Sequence, residues 1–286
     1  MAIRETNTQG DTKRGALLAV ERRRRVLAWV QRHGAANVAQ LAQTLDVGPN
    51  TIRRDLAMLA KEGKLIRSHG GAVANDPAFT RLPYVQVRHE HAEQKEWIAE
   101  AALEFLPETG SVFLADGTTV QAFAMRIPPN ASIHVVTNSV QIAARLTTET
   151  ACTVELLGGR VRPELLATDC SLAIEALDML FWDIAFVGAA ALDVSYGITE
   201  RDAPEAVRQR KFIDRATRVI ALCDSSKLGR CSYARVGPLS LLDTIVTDIG
   251  ASPEDVQAIR DTGVEVVLAG TEALQREVER QNEEIE

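Results

Sequence analysis

From Ser111 to Ala269, short apolar runs alternate with helical stretches, and this restricts the possible folds more than anything else in the 286-residue chain. Seven segments read as strands: Ser111–Ala115, Ile133–Val136, Thr153–Leu157, Ile184–Gly188, Arg218–Leu222, Leu241–Asp248 (with helix-end character at its start) and Glu265–Ala269. Helical patterns lie between them, including one that ends near Ile127, one running to Leu146, Leu172–Leu180 and Ala203–Ala216. A further helical pattern begins at Glu93, with Trp97, Ile98, Ala101, Ala102 and Phe105 as its apolar positions. Strands apolar on both faces and separated by helices build a largely parallel α/β sheet covered on both sides. Hydrophobic residues make up 46% of the chain and charged residues 25%, enough to fill such a core.

Ligands of sheets of this kind collect outside the carboxyl ends of the strands. Four polar turns are expected there: Asp116-Gly117-Thr118-Thr119, Thr137-Asn138-Ser139, Gly158-Gly159 and Asp224-Ser225-Ser226-Lys227. Three of them carry hydroxyls at a helix start, where free backbone N–H groups and hydroxyls suit a phosphate. Lys227 supplies a mobile positive charge. Any one of these turns, taken alone, is as well explained by Thr or Ser capping a helix. Three turns and a lysine on one sheet edge favour a site. Asp116 and Asp224 suit either acid/base chemistry or recognition of sugar hydroxyls. No GxGxxG or GxxxxGK[ST] fingerprint competes. His89 and His91 read as linker or surface histidines, and the four cysteines (Cys152, Cys170, Cys223, Cys231) include no CxxC pair. Neither a metal site, a disulfide framework nor a cofactor is expected.

Charge is distributed unevenly. The chain carries 32 Lys+Arg against 39 Asp+Glu, but up to Asn75 the count is 13 basic against 6 acidic side chains, a net of +7. The remainder has 19 against 33, a net of −14. A basic module joined to an acidic one points to a nucleic-acid partner for the basic end. No apolar run reaches the roughly 20 residues that cross a membrane. The first thirty residues lack the apolar centre of a secretory leader. A cytoplasmic protein with reduced thiols and no membrane partner is expected.

Within the basic module, Met1–Lys13 is an unpatterned arm, and Arg14–His33 has helical spacing in its later part and stops at Gly34. Arg22–Arg25 there form either a solvated face or a contact to phosphates. Asn37 caps a two-turn helix over Val38–Leu45, and Asp46-Val47-Gly48 turns the chain. Pro49 opens a second helix in which Ile52, Leu56 and Leu59 share one face and Thr51, Arg53 and Arg54 are left outside. This is a helix-turn-helix, whose second helix enters a major groove. Arginine there donates to guanine or holds a phosphate. Glu62–Ala72 then makes a turn, a strand and a glycine-rich tip: a small wing carrying Lys64, Arg67 and His69, with Gly70 and Gly71 in its tip.

At this point the chain resembles the DeoR family of bacterial transcription regulators. The residues responsible are Thr51-Ile52-Arg53-Arg54-Asp55-Leu56, Leu59, Gly63, Leu65 and Arg67-Ser68-His69-Gly70-Gly71-Ala72. The similarity continues through Lys95 with Ile98-Ala99, Gly117-Thr118-Thr119, Thr137-Asn138-Ser139, Gly158-Gly159, Phe186–Ala189, Gly197, Asp224–Gly229 and Thr247-Asp248. The resemblance implies a sensor domain similar in fold to ribose-5-phosphate isomerase that binds a phosphorylated sugar or related metabolite without turning it over. It also implies a repressor of carbohydrate-use operons, released from double-stranded operator DNA by that effector, and a homodimer or homotetramer. The alternatives are an activator or dual regulator with the same effector site, or a sugar-phosphate isomerase fused to a DNA-binding head.

The chain departs from the family pattern at Gly48 (usually Ser), at Ala115-Asp116 (the acidic residue displaced by one), and at Cys170 and Ala191 (both usually Gly). Val207-Arg208 stands for the frequent Val-Lys pair, which makes Arg208 a further effector residue by resemblance. The expected organisation is an arm (1–13), a winged helix-turn-helix (14–75), a linker (76–92), a sensor domain (93–270) and a charged helix or tail (271–286).

Overall fold

The structure is a computed structural model that describes residues 19–30, 35–68, 70–74 and 89–270. The N-terminal arm, the helix stop at Gly34, His69, the linker up to residue 88 and the tail from residue 271 lie outside the described residues. The chain divides into two compact units, Met1–Thr80 and Arg81–Glu286.

In the first unit, α1 (residues 19–30) is followed by β1 (Ala35–Asn37), α2 (Val38–Thr44), α3 (Pro49–Lys61), β2 (Leu65–Ser68) and β3 (Gly71–Ala74). Asn37 closes a reciprocal capping box: its Oδ1 accepts from Gln40 N at 2.7 Å, and Gln40 Oε1 accepts from Asn37 N at 3.2 Å. Ile52, Leu56 and Leu59 pack with Val26, Val30, Leu41 and Leu65 in one core. The wing is a three-stranded antiparallel sheet of order β1-β3-β2. Its third strand, β1, is too short to show an alternation in the sequence. Gly71 is required where β3 meets β1, because a Cβ there would overlap the carbonyl oxygen of Ala36.

The second unit begins with α4 (Ala92–Ala102) and continues β4 (Ser111–Leu114), α5 (Thr118–Ala124), β5 (His134–Thr137), α6 (Val140–Glu149) and β6 (Thr153–Leu156). A hairpin follows, of β7 (Val161–Arg162) and β8 (Ala167–Thr168), and then β9 (Trp182–Val187), β10 (Ala191–Asp193) and β11 (Gly197–Glu200). The chain closes with α7 (Ala203–Asp214), β12 (Ala216–Leu222), β13 (Ala234–Gly237), β14 (Thr244–Asp248), α8 (Pro253–Arg260) and β15 (Glu265–Ala269). Seven strands form one parallel sheet of order β15-β14-β12-β9-β4-β5-β6. These are the seven segments that read as strands. A separate antiparallel sheet, β10-β11-β13, has no counterpart in the sequence pattern.

Both faces of the large sheet are covered. Val112 and Leu114 pack on one side with Ile98, Phe123, Val135 and Ile142. Phe113 and Ala115 face the other side with Trp182, Phe212 and Ile213. Phe113 stacks on Trp182 at 4.6 Å between ring centroids, and the indole N–H donates to Phe212 O at 3.0 Å, which ties α7 to β9. The expected helix over Leu172–Leu180 is absent; turns and a single 3₁₀ segment, Ala176–Met179, take its place. Ala173, Ile174, Leu177 and Leu180 still pack against the core, while Leu172 is 86% and Met179 77% exposed, so the inward apolar positions are carried by turns in place of a continuous helix.

Candidate functional site

The strand order reverses between β4 and β9: β4, β5 and β6 proceed one way, and β9, β12, β14 and β15 the other. At such a switch point the turns leaving adjacent strands diverge and a crevice opens at their carboxyl ends. A cavity of about 1100 Å³, including open solvent at its mouth, lies there. Ala115–Val120 after β4, Gly188–Ala190 after β9, and Cys223, Asp224 and Lys227 after β12 line it. Glu90, His91 and Lys95 reach it from the start of α4, Glu200 and Arg201 from the end of β11, and Glu205, Arg208, Gln209 and Phe212 from α7.

Gly117 sits at φ +139°, a conformation that L side chains rarely adopt, so the turn into α5 depends on glycine. Asp116 is fixed by Asn138 on two sides: its N donates to Asn138 Oδ1 at 2.9 Å, and Asn138 Nδ2 donates to its Oδ1 at 2.6 Å. After β12, Asp224 Oδ1 accepts from Ser226 N at 3.2 Å, and Asp248 Oδ1 accepts from Ser225 N at 2.7 Å, which hold the turn that carries Lys227.

Of the expected effector residues, Asp116, Gly117, Thr118, Thr119, Arg208, Asp224 and Lys227 line the cavity. Thr137, Asn138, Ser139, Gly158 and Gly159 do not. Thr137 Oγ1 donates to Leu114 O at 2.6 Å, Ser139 Oγ accepts from Ile142 N at 3.3 Å to cap α6, and Asn138 braces Asp116. The Gly158-Gly159 turn abuts Asp169 and the backbone N of Cys170. The hydroxyl-rich second turn therefore supports the first turn from behind. Cys170 itself stands at φ +55°, a left-handed position where glycine is the residue at no steric cost.

Several groups at or beside the cavity lie outside the set of effector residues expected from the sequence. Lys95 is 5% exposed, and its Nζ donates to Glu90 O at 2.6 Å. Burial lowers its pKa to about 8, against the opposing pull of Asp224. Its signal was present, since Lys95, Ile98, Ala99 and Ala102 occupy one helical face and a lysine on a buried stripe calls for a partner. Glu200, whose Oε1 accepts from Ala190 N at 3.3 Å, is raised to about 8 by burial, with Glu205 adding to the shift. Arg162, outside the cavity lining, forms ion pairs with Glu164 at 3.2 Å, Glu205 at 3.3 Å and Asp202 at 3.9 Å. His91, read from the sequence as linker or surface, is exposed yet contributes to the lining. Among the described residues, no group of three His, Cys, Asp or Glu side chains is placed to hold a metal ion. No helix among them is long and apolar enough to cross a membrane.

In the first unit, α3 presents Arg53 and Arg54 fully outward and Thr51 partly so. Arg53 Nη1 donates to Asn50 Oδ1 at 2.7 Å, and Arg67 Nη1 reaches from β2 to Arg53 O at 3.3 Å, which couples wing to helix. Lys64 is exposed and paired with Glu62 at 2.8 Å. Gly70 O accepts from Val38 N at 2.9 Å, and Gly71 packs on β1, so both wing glycines have structural contacts. The arginine cluster is not uniform. Arg22 turns inward and grips Asp55 of α3 through Nε at 2.5 Å and Nη2 at 3.2 Å, with Asp55 only 4% exposed. Arg24 and Arg25 stay outside, near Glu21.

Residues 90–249 match the DeoR C terminal sensor domain, and residues 22–78 match the DeoR-like helix-turn-helix domain. The HTH-type transcriptional regulator GlpR of Haloferax volcanii is 34% identical over 88% of this chain and 98% of its own length. The glycerol-3-phosphate regulon repressor of Escherichia coli K12 is 26% identical over 87% and 98%. The L-fucose operon activator of Haemophilus influenzae is 32% identical over 81% and 92%. Among solved structures, ribose 5 phosphate isomerase A from Neisseria gonorrhoeae aligns over 50% of this chain and 54% of its own, at 16% identity and a TM-score of 0.35.

Proposed function

The chain belongs to the DeoR family of DNA-binding transcription regulators, and from that premise we propose that it represses a sugar or polyol catabolic operon and leaves its operator when a phosphorylated metabolite fills the cavity. The observation that carries the effector half is the convergence of the Gly117-Thr118-Thr119 turn, Lys95 and Lys227 on one switch-point cavity. Backbone N–H groups, hydroxyls and two ammonium groups are what a phosphate monoester requires, and the carboxylates of Asp116 and Asp224 suit sugar hydroxyls. In the head, Thr51, Arg53 and Arg54 are assigned to the major groove and Lys64 and Arg67 to flanking phosphates, with His69, Gly70 and Gly71 at the wing tip. The protein is placed in the cytoplasm, acting on double-stranded DNA as a homodimer or homotetramer. Activation in place of repression is the second reading, favoured by the similarity to the L-fucose operon activator.

Only a difference in effector affinity between the DNA-bound and free forms can drive release. Sugar phosphates are therefore titrated against the protein with and without operator. A metabolite that binds the free protein more tightly supports the proposal, and equal affinity in both forms for every ligand that binds removes it.

A further inference from the structure

Arg208 is 5% exposed, and among the described residues its guanidinium has no hydrogen bond and no carboxylate within ion-pair distance, although it lines the cavity. A guanidinium keeps its charge in a protein, and no Arg208 nitrogen is among the fully buried unpartnered atoms, so its donors open onto the cavity, where an anion can reach them. Neighbouring carboxylates do not neutralise it. Glu164 and Glu205 are held by Arg162, Asp116 is bound to Asn138, and Glu200 accepts from Ala190 N.

Arg208 also approaches from a different side from Lys95. Lys95 comes from α4, which shares a core with Val112, Leu114 and Phe123 and packs against β14 and β15. The Gly117–Thr119 turn runs into α5, in that same core. Arg208 comes from α7, whose Ala206, Phe212 and Ile213 belong to the core on the opposite face of the sheet. The charges that act on Lys95 are those of Asp224, Lys227, Glu90 and Arg201, whereas Arg208 acts on Cys170 beside Asp116 and Asp169. Lys95 and Arg208 thus reach the cavity from helices on opposite faces of the sheet.

We propose that Arg208 forms a second anion subsite, so that the effector carries two anionic groups: a phosphate at the Gly117–Thr119, Lys95 and Lys227 end, and a carboxylate or second phosphate at Arg208. This rests on the cavity being the effector site. A planar guanidinium fork binds either group bidentately, and a ligand lying across the strand ends reaches both faces.

Inorganic phosphate is the probe, at constant ionic strength, with thermal stabilisation of the full-length protein as the readout. The limiting slope of stabilisation against the logarithm of phosphate concentration counts the ions bound. Wild type is expected to bind two, Arg208→Gln one and Lys227→Gln one, while Arg208→Lys keeps two. Without phosphate, the melting temperature of Arg208→Gln sets the baseline from which its phosphate response is read. If Arg208→Gln responds to phosphate as wild type does, the second subsite is refuted and the phosphate turn stands. If Lys227→Gln alone is without effect, the phosphate turn is misplaced and Arg208 stands. Should Arg208→Gln not fold, Arg208→Met replaces it in both measurements. A metabolite with one phosphate and no other charge that releases the operator equally well from wild type and Arg208→Gln also overturns the proposal.

Discussion

Effector affinity should fall steeply between pH 7 and pH 9. Two cavity groups titrate in that window. Lys95, held near 8 by burial and facing Asp224, Lys227, Glu90 and Arg201, loses its positive charge as the pH rises. Glu200, also near 8 and facing Glu205, Arg201 and Asp116, gains a negative charge. Both changes oppose an anionic ligand, whereas a phosphate monoester ionises for the second time near pH 6 and is unchanged across this range. If binding requires charged Lys95, one group at pKa 8 weakens affinity about tenfold between pH 7 and pH 9, and if ionised Glu200 excludes the ligand, the two together weaken it about a hundredfold. Isothermal titration of a sugar phosphate that releases the operator, at half-unit steps in buffers of matched ionic strength, reads this directly. Glu200→Gln should reduce the fall to about tenfold, and Lys95→Met should lower affinity at pH 7 and leave a shallower slope above it. A wild-type affinity that changes less than threefold from pH 7 to pH 9 would refute the reasoning, because neither group would then be coupled to the ligand.

Stability follows Glu200 with a definite sign. Its carboxyl is raised from 4.5 to about 8, so its contribution is fully present below pH 4.5 and is lost as pH rises to 8, while the unfolded chain ionises and the folded one does not. By pH 7 the loss is at most about 3 kcal/mol, and urea melts of Glu200→Gln should show an advantage that grows from pH 5 to pH 8. Arg22→Ala leaves Asp55 buried without its partner; with Arg22 partly solvated, about 2 kcal/mol of head stability should go, read as a lower urea midpoint and weaker operator binding. Gly71→Ala places a methyl group on the Ala36 carbonyl, so β1 and β3 cannot keep their register. Operator affinity should drop by more than the loss from Arg67→Ala, with effector binding by the sensor unchanged, as a fluorescence-anisotropy titration would show.

The large sheet was legible because its strands are buried on both faces. Val112-Phe113-Leu114, Val135-Val136 and Ala185-Phe186-Val187 need apolar residues at every position, and an unbroken apolar run flanked by turns has few other interpretations. The small sheet was not legible, since β10 and β11 span three and four residues and β13 interposes the exposed Arg235. Leu172–Leu180 misled because periodicity records which residues reach the core, here Ala173, Ile174, Leu177 and Leu180, not the backbone that carries them there. Lys95 and Arg208 were invisible as a pair for a related reason. They lie more than a hundred residues apart on helices covering opposite faces, and only the closing of the sheet brings both to one cavity.

The same topology explains why only part of the polar edge became the cavity. A parallel sheet sets every strand's carboxyl end along one edge, so Asp116–Thr119, Thr137–Ser139 and Gly158-Gly159 look equivalent in sequence. They are not equivalent in space. The crevice opens at the β4–β9 reversal, and each further strand moves a turn about 4.8 Å along the sheet. The turn after β4 borders the crevice, the turn after β5 stands one strand away and can only brace it, and the turn after β6 is two strands away. Hydroxyls and amides in the outer turns are therefore satisfied internally, as with Thr137 on Leu114 O and Asn138 on Asp116. Asn138→Ala separates support from contact. It removes both bonds to Asp116 without touching the lining, so effector affinity should fall while Lys227→Gln still weakens binding by the same factor as in the parent. If Asn138→Ala instead abolished the effect of Lys227→Gln, Asn138 would be holding the ligand itself.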